Sequence, residues 1–154
     1  MECRRDKPAL QESKRLANVL HLFRAKSRGL PMEEIPDATA LEDAGLQGCV
    51  HANPGGQRQV LLMDQETLQA LELSPGVVRE NITTKGLDVN GLEPGRRLRV
   101  GEVLLEVTAP CTPCGLMEKI RPGLRKEICG RRGTLCRVLA GGVIRRGETI
   151  EKLD

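Results

Sequence analysis

Glycine and proline recur along this chain so closely that most stretches between them have room only for short strands. Turn signals fall at Gly29, Pro31, Pro36, Gly45, Gly48, Pro54-Gly55-Gly56, Pro75-Gly76, Gly86, Asn90-Gly91, Pro94-Gly95, Gly101, Gly133, Gly141-Gly142 and Gly147. Segments 58–63, 77–83, 96–100, 103–109, 134–140 and 148–153 lie between them and are rich in Val, Ile, Leu and Thr, side chains that suit a pleated, half-buried surface. This punctuation predicts a mainly β protein, a small barrel or folded-over sheet carrying a few short helices.

Three helical turns are expected. Asp64 can cap one over 65–71, with Leu68 and Leu71 facing inward and Pro75-Gly76 ending the segment. A second opens after Cys114 over 115–120, and a third, more basic, runs from Pro122 to Ile128 and closes at Gly130. Near the start, Leu16, Val19, Leu20 and Phe23 match the i, i+3, i+4, i+7 helical template, while 19–23 also suits a strand. Periodicity alone favours helix there.

A chain of 154 residues fits one domain and can bury roughly 70% of its unfolded surface; 16–154 is expected to form it, with 1–15 a flexible lead. The net charge of +3 is too mild to imply a nucleic-acid partner. With one Phe and neither Tyr nor Trp, the rings on which single strands are stacked are missing too. No apolar run approaches the ~20 residues that cross a bilayer, and the start mixes acids with bases as signal peptides do not. Without a secretory signal, the six cysteines read as reduced thiols. The expectation is a cytoplasmic protein with no membrane or nucleic-acid partner.

Chemistry is most concentrated at Val107-Thr108-Ala109-Pro110-Cys111-Thr112-Pro113-Cys114. Two prolines fix φ and remove two donors, so the strand is expected to leave the sheet here as a stiff loop holding both sulfurs out of the ladder. The helix after Cys114 would favour a thiolate at its start. As a zinc site the cysteines are poorly spaced, because Cys129 and Cys136 are six residues apart and Cys49-Val50-His51 is too tight. A thioredoxin-like redox pair is equally misplaced, with Pro113 before the second thiol.

Charges supply the rest. In strands, alternate residues share a face, so Arg58 accompanies Val60 and Leu62, and Glu80 accompanies Val78 and Ile82. Buried charges need partners, and an Arg58–Glu80 pair would satisfy both; with Gln59 and Asn81 it either shapes a polar pocket or is a salt bridge at a sheet end. Residues 119–137 carry Lys119, Arg121, Arg125, Lys126, Arg131, Arg132 and Arg137 against the acid Glu127. This arm is either a solvated face or, beside a thiolate, a holder of phosphate or another small anion.

Taken in order, Gly45-Leu46-Gln47-Gly48, His51, Arg58-Gln59-Val60-Leu61-Leu62, Pro75-Gly76-Val77-Val78-Arg79-Glu80-Asn81-Ile82-Thr83, Gly86-Leu87, Leu98-Arg99-Val100-Gly101, Leu105-Glu106-Val107-Thr108 and Pro113-Cys114 resemble the MOSC domain, named for the C-terminal domain of molybdenum cofactor sulfurases, and especially its small stand-alone bacterial members. The resemblance implies a barrel-like MOSC fold and a strand rather than a helix at 18–24. It implies that Cys114, at the family's key cysteine, carries a persulfide sulfur or ligates molybdenum of the pterin cofactor. Arg58, Gln59, Arg79, Glu80 and Asn81, together with Arg121 and Arg125 of the basic arm, would then line the cofactor pocket.

Two departures from the family pattern stand out. Cys49 occupies a position where Asp is usual, and Cys111 one where Arg is common; Cys111 supplies a second catalytic thiol able to resolve a persulfide or disulfide at Cys114. The chain shows no counterpart of the pyridoxal-phosphate portion of full sulfurases and no flavin or iron–sulfur domain. A partner is therefore implied, either a sulfur donor such as a cysteine desulfurase or a reductase or molybdoenzyme. The rival readings are a non-catalytic carrier of the molybdenum pterin and a structural zinc protein.

Overall fold

The structure, a computed structural model, describes residues 17–153. The expected flexible lead at 1–15, with Leu16 and Cys3, lies outside those residues. Eleven strands and three short helices follow in the order β1 (Ala17–Arg24), β2 (Glu33–Ile35), β3 (Asp37–Leu41), β4 (Gly45–Leu46), β5 (Val60–Asp64), α1 (Gln65–Ala70), β6 (Ile82–Lys85), β7 (Arg97–Val100), β8 (Val103–Pro110), α2 (Gly115–Ile120), α3 (Leu124–Glu127), β9 (Thr134–Ala140), β10 (Gly142–Arg145) and β11 (Thr149–Leu153). Strands β11-β7-β8-β9-β5-β6-β1 pair in that order, and β11 also pairs with β1, so seven strands close into a barrel. Strand β2 adds to the outside of β1, and β10-β3-β4 form a second small sheet. Among the described residues no helix is long and apolar enough to cross a membrane.

Two layers of core explain the burial. The barrel interior takes Val19, Leu22, Val60, Leu62, Ile82, Leu98, Leu105, Val107 and Val138. Outside it, Met63, Leu68, Leu71, Val78, Met117, Leu124 and Ile128 pack together, so the three helices cover one flank of the wall. Strand β5 lies between these layers, and all five of its residues are buried as a result.

The capped turn at Asp64 forms as expected: its carboxylate accepts the Thr67 N–H at 3.0 Å and the Thr67 hydroxyl at 2.7 Å. Residues 17–24 are a strand, as the family resemblance implies and against the helical count; the helical spacing comes from a β-bulge, because the register with β6 shifts between Val19 and His21 and inward-facing Val19 and Leu22 fall three apart. One expectation fails for a physical reason. The strand expected over 77–83 begins only at Ile82, because Gly76 (φ 85°) and Arg79 (φ 67°) both adopt left-handed backbone and fold 75–81 into turns.

Candidate functional site

A cleft of about 620 Å³ opens where the loops after β1 and β4 meet the ends of β5, β8 and β9. Four arginines border it, Arg28, Arg58, Arg79 and Arg132, and His51 is there too. No carboxylate is among its described lining residues. Its floor is apolar, built from Leu61 and Leu135, which cluster with Cys111. A one-signed rim over a low-dielectric floor concentrates field lines and selects anions.

Strands β8 and β9 bring a thiol and a guanidinium to this floor. Pro110 pairs with Thr134, and the Cys111 N–H donates to the Gly133 carbonyl at 2.9 Å. The ladder therefore runs one residue further than the prolines suggest, and Cys111 stays in it. Its side chain is buried in the cleft wall, and Arg132 is the next residue past its rung. Gly133 makes this crossing possible: its φ is 100°, and a Cβ there would collide with the Leu62 carbonyl. Its N–H is fixed by Asn90 Oδ1 at 3.0 Å.

Arg132 is a buried charge. It is 5% exposed, it lines the cleft, and its Nε and Nη1 have no hydrogen-bond partner. Buried guanidinium N–H groups left unmade cost more than neutral ones, so the arrangement suits a site whose missing acceptor is a ligand. Glu80, wholly buried, is the carboxyl whose ionisation Arg132 helps; burial pushes its pKa up, while the Gly76 N–H, the Thr83 hydroxyl at 2.8 Å and the Arg132 charge pull it down.

The sequence-predicted residues divide accordingly. Arg58, Gln59, Arg79, Asn81 and Cys111 all line the cleft. The expected Arg58–Glu80 ion pair is not formed: Arg58 is exposed on the rim, and the left-handed turn at Arg79 carries Glu80 off the strand face on which alternation put it. Arg79 Nη1 instead donates to the Leu30 carbonyl at 2.7 Å, tying down the loop that bears Arg28. Arg121 and Arg125 do not reach the cleft. Arg121 bridges the Leu71 carbonyl and Glu127, and the Arg125 backbone N–H is held by Glu118, all in the helical flank. Cys114 is exposed, precedes α2 and is not part of the cleft wall. Helix α2 has six residues.

Two buried amides hold the wall. Asn81 Oδ1 accepts the Leu61 N–H at 3.0 Å, and its Nδ2 donates to the Phe23 carbonyl at 3.3 Å and to Cys49 Sγ at 3.5 Å. Gln59 Oε1 accepts the Val138 N–H at 2.9 Å, and its Nε2 faces Asp43 Oδ1 and the carbonyls of Asn53 and Gly56. Both serve as staples for the loops around the opening.

Cys49 and His51 form a pair that spacing rules for zinc had set aside. Burial pushes the Cys49 thiol up, but hydrogen bonds from the His51 ring and from the Ala25 and His51 N–H groups outweigh it and bring it down to about 7. The thiolate absorbance of a Cys111→Ser, Cys114→Ser double variant is expected to rise with a midpoint near 7, and His51→Ala to move it back towards 9.0. Because the folded value is depressed, the linked stability is fully present above 9.0 and is lost as pH falls through about 7. A midpoint that ignores His51 would remove the pair.

Of the cysteines expected as reduced thiols, Cys49, Cys111, Cys114 and Cys136 are free, whereas Cys129 is disulfide-bonded. Cys136 is sealed in the barrel, where burial raises its pKa strongly. Among the described residues no three His, Cys, Asp or Glu side chains converge as a metal site, which leaves the zinc reading without a ligand set there.

Comparison with known proteins gives the family and the fold. The family model described as MOSC domain matches residues 49–151. No curated protein matches the chain. Among solved structures, the YUAD protein from Bacillus subtilis superposes with a TM-score of 0.77 at 17% identity, over 90% of this chain and 96% of that one. YiiM from Geobacillus stearothermophilus gives 0.74 at 22%, over 90% and 75%. YiiM from Escherichia coli gives 0.65 at 21%, over 90% and 68%. At these identities the likeness is one of fold.

Proposed function

The chain belongs to the MOSC domain family, and from that premise we propose that it handles sulfur for, or at, a molybdenum–pterin cofactor held in the arginine-rimmed cleft. The observation that carries the reading is the rim: Arg28, Arg58, Arg79 and Arg132 border one cleft with no carboxylate among its described lining residues, and two buried N–H-bearing atoms of Arg132, Nε and Nη1, have no partner. A phosphate-bearing group is the acceptor that suits it, since charge-assisted bonds from arginine to phosphate are short, strong and directional. The donor set fits the remainder of such a cofactor. Cys111 offers a soft sulfur ligand at the floor, and Leu61, Leu116 and Leu135 offer apolar surface to a flat ring.

In this reading Arg132 anchors the anionic end, Arg28 and Arg58 screen it at the rim, and Arg79 fixes the Arg28 loop. Gln59 and Asn81 keep the wall in shape. The metal, when bound, supplies a centre that can accept or lose electrons and hold a terminal sulfur. The chain's own contribution is a thiol-bearing loop beside an anion anchor. The sulfur source is a separate protein, a cysteine desulfurase or its equivalent, and the acceptor is a reductase or molybdoenzyme.

Freshly prepared protein from a host that makes the cofactor is expected to carry molybdenum and pterin, and incubation with a cysteine desulfurase and cysteine to add one sulfur atom by intact mass. Metal and pterin without any sulfur uptake would favour the carrier reading, for which the arginine rim alone is sufficient. Absence of both would defeat the proposal.

A further inference from the structure

Building on that sulfur-handling reading, we propose that the two thiols of the β8–α2 loop work in series: Cys114 takes a sulfane sulfur from the persulfide of a donor protein, and Cys111 takes it from Cys114 and presents it inside the cleft.

The division rests on where the two sulfurs lie. Cys114 is exposed and outside the cleft wall, while Cys111 is 9% exposed and part of it. A persulfide borne on another protein has to be met by a thiol on the surface, and Cys114 is the exposed one among the free cysteines of the described residues. A ligand inside the cleft meets Cys111. The sequence separation of three limits the distance between their Cα atoms to about 11 Å, which places both thiols on one short loop.

Arg132 gives the inner position its direction. It sits one residue past the Cys111 rung, and its Nε and Nη1 have no partner. An anionic persulfide on Cys111 would lie in the arginine-bordered cleft, whereas one on Cys114 would lie in water. The one-signed rim favours the anion at the inner position.

The chemistry balances without an oxidant. In the first step the Cys114 thiolate attacks the outer sulfur of the donor's Cys–S–SH; the donor S–S bond breaks, a new S–S bond forms on Cys114, and the donor leaves as thiolate. In the second the Cys111 thiolate attacks that same outer sulfur, the Cys114 S–S bond breaks, and Cys114 leaves as thiolate and recovers the proton that Cys111 lost. The transferred atom keeps its oxidation state. The competing attack on the inner sulfur would give a Cys111–Cys114 disulfide and release hydrogen sulfide.

The test is a quenched time course with a cysteine desulfurase and cysteine, with alkylation and fragment-ion mapping of the persulfide. In the wild type the label is expected on Cys114 first and on Cys111 later. Cys111→Ser should hold it at Cys114. Cys114→Ser should slow loading of Cys111 by the desulfurase by an order of magnitude or more, yet leave Cys111 open to inorganic polysulfide, which shows that the variant is folded and its cleft intact. Desulfurase loading of Cys111 in Cys114→Ser at the wild-type rate would overturn the relay, as would sulfide release with a Cys111–Cys114 disulfide. A wild type that keeps its sulfur at Cys114 alone while binding metal and pterin ends the relay and spares the parent reading. One that takes sulfur at neither thiol from any donor ends both.

Discussion

Replacing Arg132 by Met is expected to leave the protein at least as stable as the wild type while weakening its hold on phosphate or sulfate by ~100-fold or more. The proposed anion would supply acceptors for two charge-assisted bonds, each about 1.5–3 kcal/mol, that the protein alone leaves unmade. Met keeps much of the apolar length of the side chain and removes a buried charge whose desolvation the fold now bears. The loss of that charge next to Glu80 is tolerated because burial already favours the neutral carboxyl. A ligand at a hundred times its Kd adds about 2.7 kcal/mol to stability, which in a domain of this size is ~5–10 °C in Tm. Thermal melts with and without phosphate therefore separate the two contributions: the wild type gains on adding the anion, and the variant does not. Arg58→Met on the exposed rim should change the same titration only a few-fold, since a solvated charge contributes ~1 kcal/mol or less. A large loss of stability in Arg132→Met would show that this side chain is a structural prop.

Gln59→Leu is expected to destabilise by about 3–4 kcal/mol, or ~10 °C in Tm, although the volume is nearly conserved. Gln59 is 1% exposed and joins the barrel wall at Val138 to the 53–56 loop. Leucine strands the Val138 N–H and two carbonyls against hydrocarbon, each a desolvation penalty with no return. If volume were what mattered, leucine would be the mildest change available and Ala the worst; the hydrogen-bond account instead makes Leu and Ala comparable. Chemical denaturation of both variants distinguishes these outcomes, and the phosphate-linked Tm gain should fall with them because Gln59 supports the cleft wall.

Much of this fold could be read from turn chemistry and β-branched runs. Strands β5, β7, β8, β9 and β11 fall within a residue or two of the segments that punctuation marks off. The strands that escaped notice, β2, β3, β4 and β10, are two to five residues long. Strand β3 shows why: Asp37-Ala38-Thr39-Ala40-Leu41 alternates in burial, but its buried members are alanines, which carry little hydrophobic signal. The bulge in β1 mimicked a helix because one extra residue turns a period of two into a spacing of three.

The site was half legible. Cys111, Arg58, Gln59, Arg79 and Asn81 reach the cleft because each follows or precedes a strand end at the same side of the barrel. Arg132 was hidden among the seven cations of the basic arm, and neither charge nor composition distinguishes it from Arg125 or Arg131. What singles it out is register, its place beyond the rung that joins Cys111 to Gly133, and a left-handed glycine ahead of a strand was the one local cue. Arg121 and Arg125 were drawn in by proximity in sequence to Cys114, whereas α2 and α3 turn them onto the outer flank.

Molybdenum and pterin measured together in wild type and Arg132→Met, both isolated from the same cofactor-producing cells and matched for folded fraction, test the central claim most directly. The anion-anchor account predicts near-equal amounts of metal, pterin and chain in the wild type and a small fraction of that in the variant. Equal loading of the two proteins, or an empty wild type, would contradict it.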